Sequence, residues 1–420
     1  MYHVRFLKVP YSKCSLSLLK SDSPKKSRTK LNDGKAVTAP QIISRPQAFS
    51  GSTCTINSVV TLTTDLGEYF FYGNATLSVS LIASGQLSSK TTNVIHTKVQ
   101  WKPGMRALPI ELEVSMKQLD RIMKNRGVDV RFYMRVGLNI EGESKDENEI
   151  YEDSYGDTLS TVLPVTSLGF WFSGAEEWRP RKYDIQWTIR YDNDNQRYVS
   201  RDIPIGVTSL KLVEETGESV ARHLWDSGIL LGSFLTSSQN NRDLFVEQLR
   251  AASKPMRILE LGSGCGTVGL SLSKVFPQSH VVLTDLDSAR DVCERNIALN
   301  CTTNKSSRAN GKVEFSSFNW DSCNNTAEEN AKVYDAEWDL VISCDCTYNA
   351  DSFDILTDVL LKVVSRRTKL LLVHKERHGS EARVFELLRE KNNLHFQWRQ
   401  QLGPASVKST ADILVRWDNE

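Results

Sequence analysis

Residues 258–269 read Ile-Leu-Glu-Leu-Gly-Ser-Gly-Cys-Gly-Thr-Val-Gly. The apolar residues around Glu260 predict a short buried strand. Gly262, Gly264 and Gly266 then allow a tight turn and a close backbone approach to a ligand, because they carry no Cβ. The helix predicted next places Leu270, Leu272, Val275 and Phe276 on one side and points its N-terminus at that turn. α/β proteins hold nucleotide-like cofactors in such a place. Gly264-Cys-Gly-Thr-Val-Gly269 also satisfies the G-x-G-x-x-G dinucleotide pattern, with Asp285 at a fitting spacing downstream. The loop by itself indicates an adenosine-containing cofactor and leaves its identity open.

Other strand ends carry further candidate chemistry. Asp285 closes the run Val281-Val-Leu-Thr, where a carboxylate can accept both ribose hydroxyls. Helix capping is the competing role, and Asp287, adjacent to the helix, fits it better. The third strand leads into Asn319-Trp320-Asp321, whose indole can cover an adenine face or pack in the core. The fourth, Asp339-Leu-Val-Ile-Ser-Cys344, runs into Asp345-Cys-Thr-Tyr348. An acid directly beyond a buried apolar strand is costly unless it faces a cleft or is paired. Asp345 and Tyr348 are therefore candidates to face a bound cofactor.

These ends need a parallel sheet to bring them together. From about 207, strands (256–261, 280–285, 312–317, 338–344, 368–374) alternate with helices (266–276, 288–300, 351–364, 380–391), and a polar loop extends to about 335. The alternation predicts an α/β, Rossmann-like doubly wound sheet with helices on both faces. Two last strands, near 394–400 and 411–417, have no long helix between them and predict an antiparallel edge pair. Residues 46–206 instead hold short β-branched and aromatic runs, such as 59–64, Tyr69-Phe-Phe-Tyr72 and 75–82, separated by turn residues. They predict a mainly β domain, a sandwich or small barrel of unassigned role, with one helix near 113–125. Residues 1–45 read as a flexible basic tail rich in Ser and Lys, with nine Lys/Arg against two Asp in the first 35.

The bulk numbers exclude some classes. The chain has 420 residues, 40% hydrophobic and 25% charged, with a formal net charge of +1. That is an ordinary soluble composition with no global attraction to nucleic acid or membranes. No apolar run approaches a membrane span. The eight cysteines form no C-x-x-C pair, which predicts free thiols in a reducing compartment and no zinc site or disulfide scaffold. Residues 141–157 hold eight acids and one lysine, a solvated loop or a docking surface for a basic partner. The acid-poor N-terminus has the composition of a transit peptide but no amphipathic Arg-rich helix, and Pro10 interrupts it. The expected location is cytoplasmic, with nuclear residence and mitochondrial import as alternatives.

Over 207–420 the chain resembles the seven-strand, S-adenosylmethionine-dependent methyltransferases. Within them it is similar to the protein-lysine methyltransferase family whose members modify chaperones, elongation factors and calmodulin. The residues that carry the resemblance are Trp225-Asp226, Glu260-Leu-Gly-Ser-Gly-Cys-Gly266, Thr284-Asp285, Asn296-Ile-Ala-Leu-Asn300, Asn319-Trp320, Asp345-x-x-Tyr348 and His374-Lys-Glu-Arg377. Ser263 and Cys265 stand where Ala and Thr are more usual, and both are small. The Asn-Pro-Pro-Tyr tetrad of adenine and glutamine methyltransferases is absent, which weakens a nucleic-acid-base reading.

The resemblance implies S-adenosylmethionine as cofactor. Gly262, Ser263 and Gly264 would approach it with backbone, Asp285 would hold its ribose, and Trp225 and Trp320 would line its pocket. Cys344 would lie on the adenine side. Glu260 would bond either the loop backbone or the cofactor's amino group. The reaction would be in-line attack of a lysine amine on the sulfonium methyl, with no metal and no covalent enzyme intermediate. The amine must be neutral, and a free lysine has a pKa of about 10.4; desolvation and the sulfonium charge lower it. Asp345 would hold the amine and Tyr348 would wall the lysine channel. The partner would be a protein presenting a lysine to a monomeric enzyme. Methyl transfer to histidine or a small molecule, a NAD-dependent oxidoreductase and a non-catalytic binding protein are the rival readings; the oxidoreductase leaves Asp345-x-x-Tyr348 unexplained.

Overall fold

Period-two alternation builds the first half, as in Leu108-Pro-Ile-Glu-Leu-Glu-Val-Ser, whose residues alternate strictly between buried and exposed. The computed structural model of the chain describes residues 2–19, 53–85, 88–126, 130–139, 162–179, 182–192, 195–205, 208–217, 220–236, 240–250, 255–301, 312–392, 394–402 and 409–416. The strands of this half are β1 (Tyr2–Leu19), β2 (Thr53–Thr63), β3 (Ala75–Gly85), β4 (Ser88–Trp101), β5 (Leu108–Ser115), β6 (Arg131–Leu138), β7 (Val162–Leu163), β8 (Val165–Ser167), β9 (Phe170–Arg179), β10 (Lys182–Tyr191), β11 (Tyr198–Ile205) and β12 (Thr208–Glu215). β1 serves two faces: its first part pairs with β2 and its last part with β10. Register shifts after Phe6 and after Lys8 bend it from one to the other. Val4, Phe6, Ile56 and Leu62 then meet Leu77, Val79, Phe132 and Met134 in one core, as in a sandwich. Helix α1 (Met116–Arg126) adds Leu119 and Ile122 to it.

The second half is a separate seven-stranded sheet. Its strands β13 (Arg257–Leu261), β14 (His280–Asp285), β15 (Lys312–Ser317), β16 (Leu340–Cys344), β17 (Lys369–Lys375), β18 (Leu394–Leu402) and β19 (Ser409–Arg416) lie in the order β15-β14-β13-β16-β17-β19-β18. The first five in that order are parallel, and β18 and β19 pair antiparallel at one edge. The helices are α2 (Asp226–Thr236), α3 (Asn240–Leu249), α4 (Thr267–Val275), α5 (Arg290–Asn300), α6 (Ala327–Tyr334), α7 (Phe353–Val363) and α8 (Ala382–Asn392). Among the described residues no helix is long and apolar enough to cross a membrane.

Several expectations need correction. The tail expected over 1–45 begins as strand β1, with His3, Val4 and Phe6 buried. Averaging the basic and serine content hid the Val4-Arg5-Phe6 alternation. The rest of that segment (20–45) and the acidic stretch 141–157 lie outside the described residues. Tyr69-Phe-Phe-Tyr72 is no strand: a turn closed by Gly67 N–H on Thr64 O at 3.0 Å, with Gly67 at φ 76°, leaves it one bridge, Thr63 to Phe70. Cys54 is disulfide-bonded, against the expectation of free thiols throughout. The loop expected to run to about 335 contains α6, whose Thr326/Glu329 capping box supports a helix with only Val333 buried. The boundary at 206/207 also shifts. β12 belongs to the β domain's sheet, yet Leu210, Leu212 and Val213 share a core with Ile229, Leu270 and Val292 of the α/β half.

Candidate active site

The cleft forms where neighbouring strands connect in opposite directions. The connection from β13 runs to β14 on one side and that from the adjacent β16 runs to β17 on the other, so a cleft opens between the carboxyl ends of β13 and β16. In the loop beyond β13, Gly262, Gly264 and Gly266 all have positive φ (68°, 53° and 77°). A Cβ on Gly262 would stand 2.6 Å from Cys346 Sγ and 3.2 Å from the Trp320 ring; one on Gly264 would stand 3.0 Å from Ala221 O. Glycine is thus demanded by conformation and by space. Ser263 N–H donates to Thr284 O at 2.9 Å, which pins the loop to β14.

Glu260 lies below the loop, almost wholly buried. Its Oε2 accepts the Gly269 N–H at 2.7 Å. The expected partner is the loop backbone or a cofactor amino group; the bond observed is to the backbone of α4. Burial is the main cause that pushes its carboxyl up to about 8; the Gly269 N–H opposes the rise and the Asp285 charge adds to it. A Cβ on Gly269 would stand 2.6 Å from the same oxygen and 2.3 Å from Leu283 Cδ2, so this glycine permits close contact between α4 and the sheet.

Asp285 ends β14 with Oδ2 accepting Gly264 N–H at 2.8 Å and Oδ1 accepting Leu286 N–H at 2.7 Å. Burial raises its pKa and the two N–H groups oppose that. A carboxylate oxygen can accept two hydrogen bonds, so each retains a site toward the cleft. Asp285 faces a cavity of about 560 Å³ that Trp225, Glu260, Ser263, Trp320, Cys344, Asp345 and Tyr348 also line. That size suits a nucleoside-bearing small molecule. The cradle closed by a cofactor-facing carboxylate fits S-adenosylmethionine. All the residues singled out from the sequence for this site meet at this one cavity.

Asp345 is the one non-glycine residue with positive φ (53°) among the described residues. Asp tolerates this left-handed conformation better than most residues. Its carboxylate is taken up by protein donors. Oδ1 accepts from Ser227 Oγ at 2.8 Å, Lys375 N at 3.0 Å and Arg377 Nη1 at 3.1 Å; Oδ2 accepts from Ser227 N at 3.2 Å. The group expected simply to meet an acceptor amine is first a hub that ties two other segments, at 227 and at 375–377, to the end of β16, and only Oδ2 has an acceptor site left. Tyr348 is half exposed at the cavity mouth, and burial of the other half raises its pKa. Trp225 donates its indole N–H to Val220 O at 3.2 Å, and the Arg377 guanidinium lies 5.7 Å from its ring centroid.

Sequence reasoning missed four contributors. Cys346 packs beneath Gly262, its thiol pushed up to about 12 by burial. Ser227 follows the Trp225-Asp226 pair but showed no sign of a role. Asn296 was visible only as a motif residue: its amide accepts from Val213 N at 2.7 Å and donates to Val213 O and Cys265 O, both at 2.9 Å, tying α5 to β12 and to the glycine loop. Asp65 comes from the β domain, and the turn-like Thr-Asp-Leu-Gly around it gave no hint of the site. Among the described residues no cluster of His, Cys, Asp or Glu is arranged to hold a metal ion.

Comparison with known proteins agrees with this geometry. A family model described as lysine methyltransferase matches residues 206–391. A UPF0665 family protein of Schizosaccharomyces pombe is 26% identical over 325 residues, covering 77% of this chain and 84% of that one. EEF1A lysine methyltransferase 3 of Xenopus tropicalis is 24% identical over 177 residues (41% and 67% of the two chains). Protein-lysine N-methyltransferase EFM6 of Saccharomyces cerevisiae is 25% identical over 192 residues (43% and 74%). The matched segment, 206–391, is the one that carries the glycine cradle and the strand-end acids, and it is similar to the lysine methyltransferase family over that length.

Proposed function

We propose that the protein methylates the side-chain amine of a lysine on a non-histone protein. The observation that carries this reading is the meeting, in one cavity, of the Gly262–Gly264 cradle closed by Asp285 with the Asp345-x-x-Tyr348 strand end. When bound, S-adenosylmethionine supplies an electrophilic sulfonium methyl. The chain's own residues bind and orient. Backbone at 262–264 and the free acceptor sites of Asp285 hold the adenosine part, with Trp320 against the loop. The Tyr348 ring forms a wall of the opening, and Asp345 Oδ2 can take one N–H of the incoming amine and turn its lone pair inward. Partial desolvation there favours the neutral amine. Burial keeps the thiols of Cys344 and Cys346 protonated, so neither competes as a nucleophile. Alignment of the two reactants is the main source of rate.

The test is incubation of the full-length protein and methyl-labelled S-adenosylmethionine with elongation factor 1A and, separately, with a cell extract. Elongation factor 1A is tried first because the name of one relative points to it. Label in a protein, recovered as methyl-lysine after hydrolysis, is the expected result. Label recovered as methyl-histidine, or only in small molecules, would overturn the proposal.

A further inference from the structure

The two halves of the molecule meet through a buried charge network that ends at the reaction cavity. Asp65, in the turn after β2, is 2% exposed. Its Oδ2 accepts from Arg377 Nη2 at 2.9 Å and its Oδ1 from Lys375 Nζ at 3.0 Å. Arg377 uses its other terminal nitrogen on Asp345 Oδ1 at 3.1 Å and lies over the Trp225 ring. Lys375 reaches Asp226 Oδ2 at 2.6 Å, and the other Asp226 oxygen meets His3 Nε2 of β1 at 2.8 Å, both side chains fully buried. The β domain therefore touches Asp226 directly through His3, and through Arg377 it is one side chain away from both Trp225 and Asp345.

We propose that Asp65 is a positioning residue for methyl transfer, acting through Arg377 on Asp345 and Trp225, so that the β domain is a fixed part of the acceptor side of the active site. For the reaction it serves, this rests on the function proposed above. The guanidinium is a planar fork, and the two acids sit on separate prongs. With Asp65 in place, Arg377 is held at two points and cannot pivot. Its pull on Asp345 then has one direction, and Oδ2 keeps one orientation toward the cavity. Without Asp65, Arg377 has a single carboxylate anchor and Lys375 is left with Asp226. The turn that carries Asp65 is itself held: Arg5 donates to its carbonyl, and the Leu66 N–H closes on Oδ1 at 3.0 Å. The shared core of β12 with α2, α4 and α5, and the Asn296 and Asn300 amides bonded to Val213 and Lys211, keep the two halves from shifting past one another. A misplacement of about 1 Å in such a site can cost about a hundredfold in rate.

The experiment compares the full-length protein with Asp65→Asn, Asp65→Glu and Arg377→Lys. Three quantities are measured on each: initial rate of labelled methyl transfer at saturating cofactor, affinity for S-adenosylhomocysteine by calorimetry, and amide hydrogen exchange over 345–348 and 375–377. The expected result for Asp65→Asn is a rate lower by about tenfold to a hundredfold, an affinity within about threefold, and faster exchange in those two segments but not over 257–261. Asp65→Glu should recover part of the rate. Arg377→Lys, which keeps the charge but cannot bridge both acids, should reproduce the Asn phenotype and stands in if Asp65→Asn does not fold. Wild-type rate and wild-type exchange in Asp65→Asn or in Arg377→Lys would overturn the proposal, and so would equal loss of cofactor affinity and rate. If the wild type labels no protein, the functional reading fails by itself, and the exchange comparison still decides whether Asp65 orders 345–348.

Discussion

Glu260→Gln should stabilise the protein, with a gain that depends on pH. Glu260 is 1% exposed on the central strand, and its carboxyl is moved from the ordinary 4.5 up to about 8. Below about pH 4.5 the group is protonated whether the chain is folded or not, and it adds no pH dependence. Between about 4.5 and 8 the unfolded chain releases the proton while the folded chain retains it, so stability falls as pH rises. Above about 8 both forms are ionised and the slope ends. Over a window of about 3.5 pH units, at about 1.36 kcal/mol per unit, the full cost is up to about 5 kcal/mol. Glutamine keeps the acceptor for the Gly269 N–H and never ionises. Urea unfolding of both proteins at pH 5, 6, 7, 8 and 9 is the assay. The curves should nearly coincide at pH 5, diverge through pH 8 in favour of glutamine, and stay parallel beyond it. A constant difference from pH 5 to 9 would refute the reasoning, since Glu260 would then ionise as an exposed acid does.

Other perturbations separate the parts of the site. Gly269→Ala places a methyl 2.3 Å from Leu283 Cδ2, and thermal unfolding should show a loss of about 1–3 kcal/mol from overpacking. Asp285→Asn removes the charge but keeps the shape; S-adenosylhomocysteine affinity, read by calorimetry, should fall about 10- to 100-fold, the share of one or two charge-assisted hydrogen bonds, with little change in melting. Asn296→Ala leaves the N–H and C=O of Val213 and the Cys265 carbonyl without this partner. Urea unfolding should register a loss of about 2–4 kcal/mol. Tyr348→Ala alters a half-exposed side chain, so stability should hold while kcat/KM for the acceptor protein drops about tenfold, the share of an interface aromatic.

The methyltransferase sheet was legible because its signals are local. β13, β14, β16 and β17 are short apolar runs, each followed by a helix, and the glycine spacing marks the turn after β13. Asp285 and Asp345 could be found because a strand end is a place that can be counted along the chain. The missing helix α6 has one buried residue and no apolar stripe, so only its capping box could have revealed it. β1 was hidden by averaging over a basic segment. β12 fell on the α/β side of the boundary placed at 206/207, because its pairing with β11 and its contacts with α5 point to opposite halves of the protein. Asp65 was beyond reach: 310 positions separate it from Lys375, and nothing in its neighbourhood encodes the partner.

The two ends of the cavity are consequently built by different physics. The cofactor end is held by backbone: Ser263 and Gly264 N–H groups on β14, glycines where a Cβ would clash, and a neutral buried acid under the helix. These contacts lie within a few dozen residues of one another. The Asp345 end is held by charge drawn from distant segments: Asp65, Asp226 and Asp345 around Lys375 and Arg377. Burial raises the cost of each of those charges, and the pairing overcomes it; Asp65 and Asp226 are held below the usual carboxylate range despite desolvation. Removing one member leaves its partners buried and uncompensated, which costs far more than an exposed ion pair is worth. Salt screens buried pairs weakly, so the network should survive ionic strengths that dissolve surface bridges such as Lys332–Glu328. A chain assembled this way can change the Asp345 end of the cavity through the β domain without touching the glycine loop.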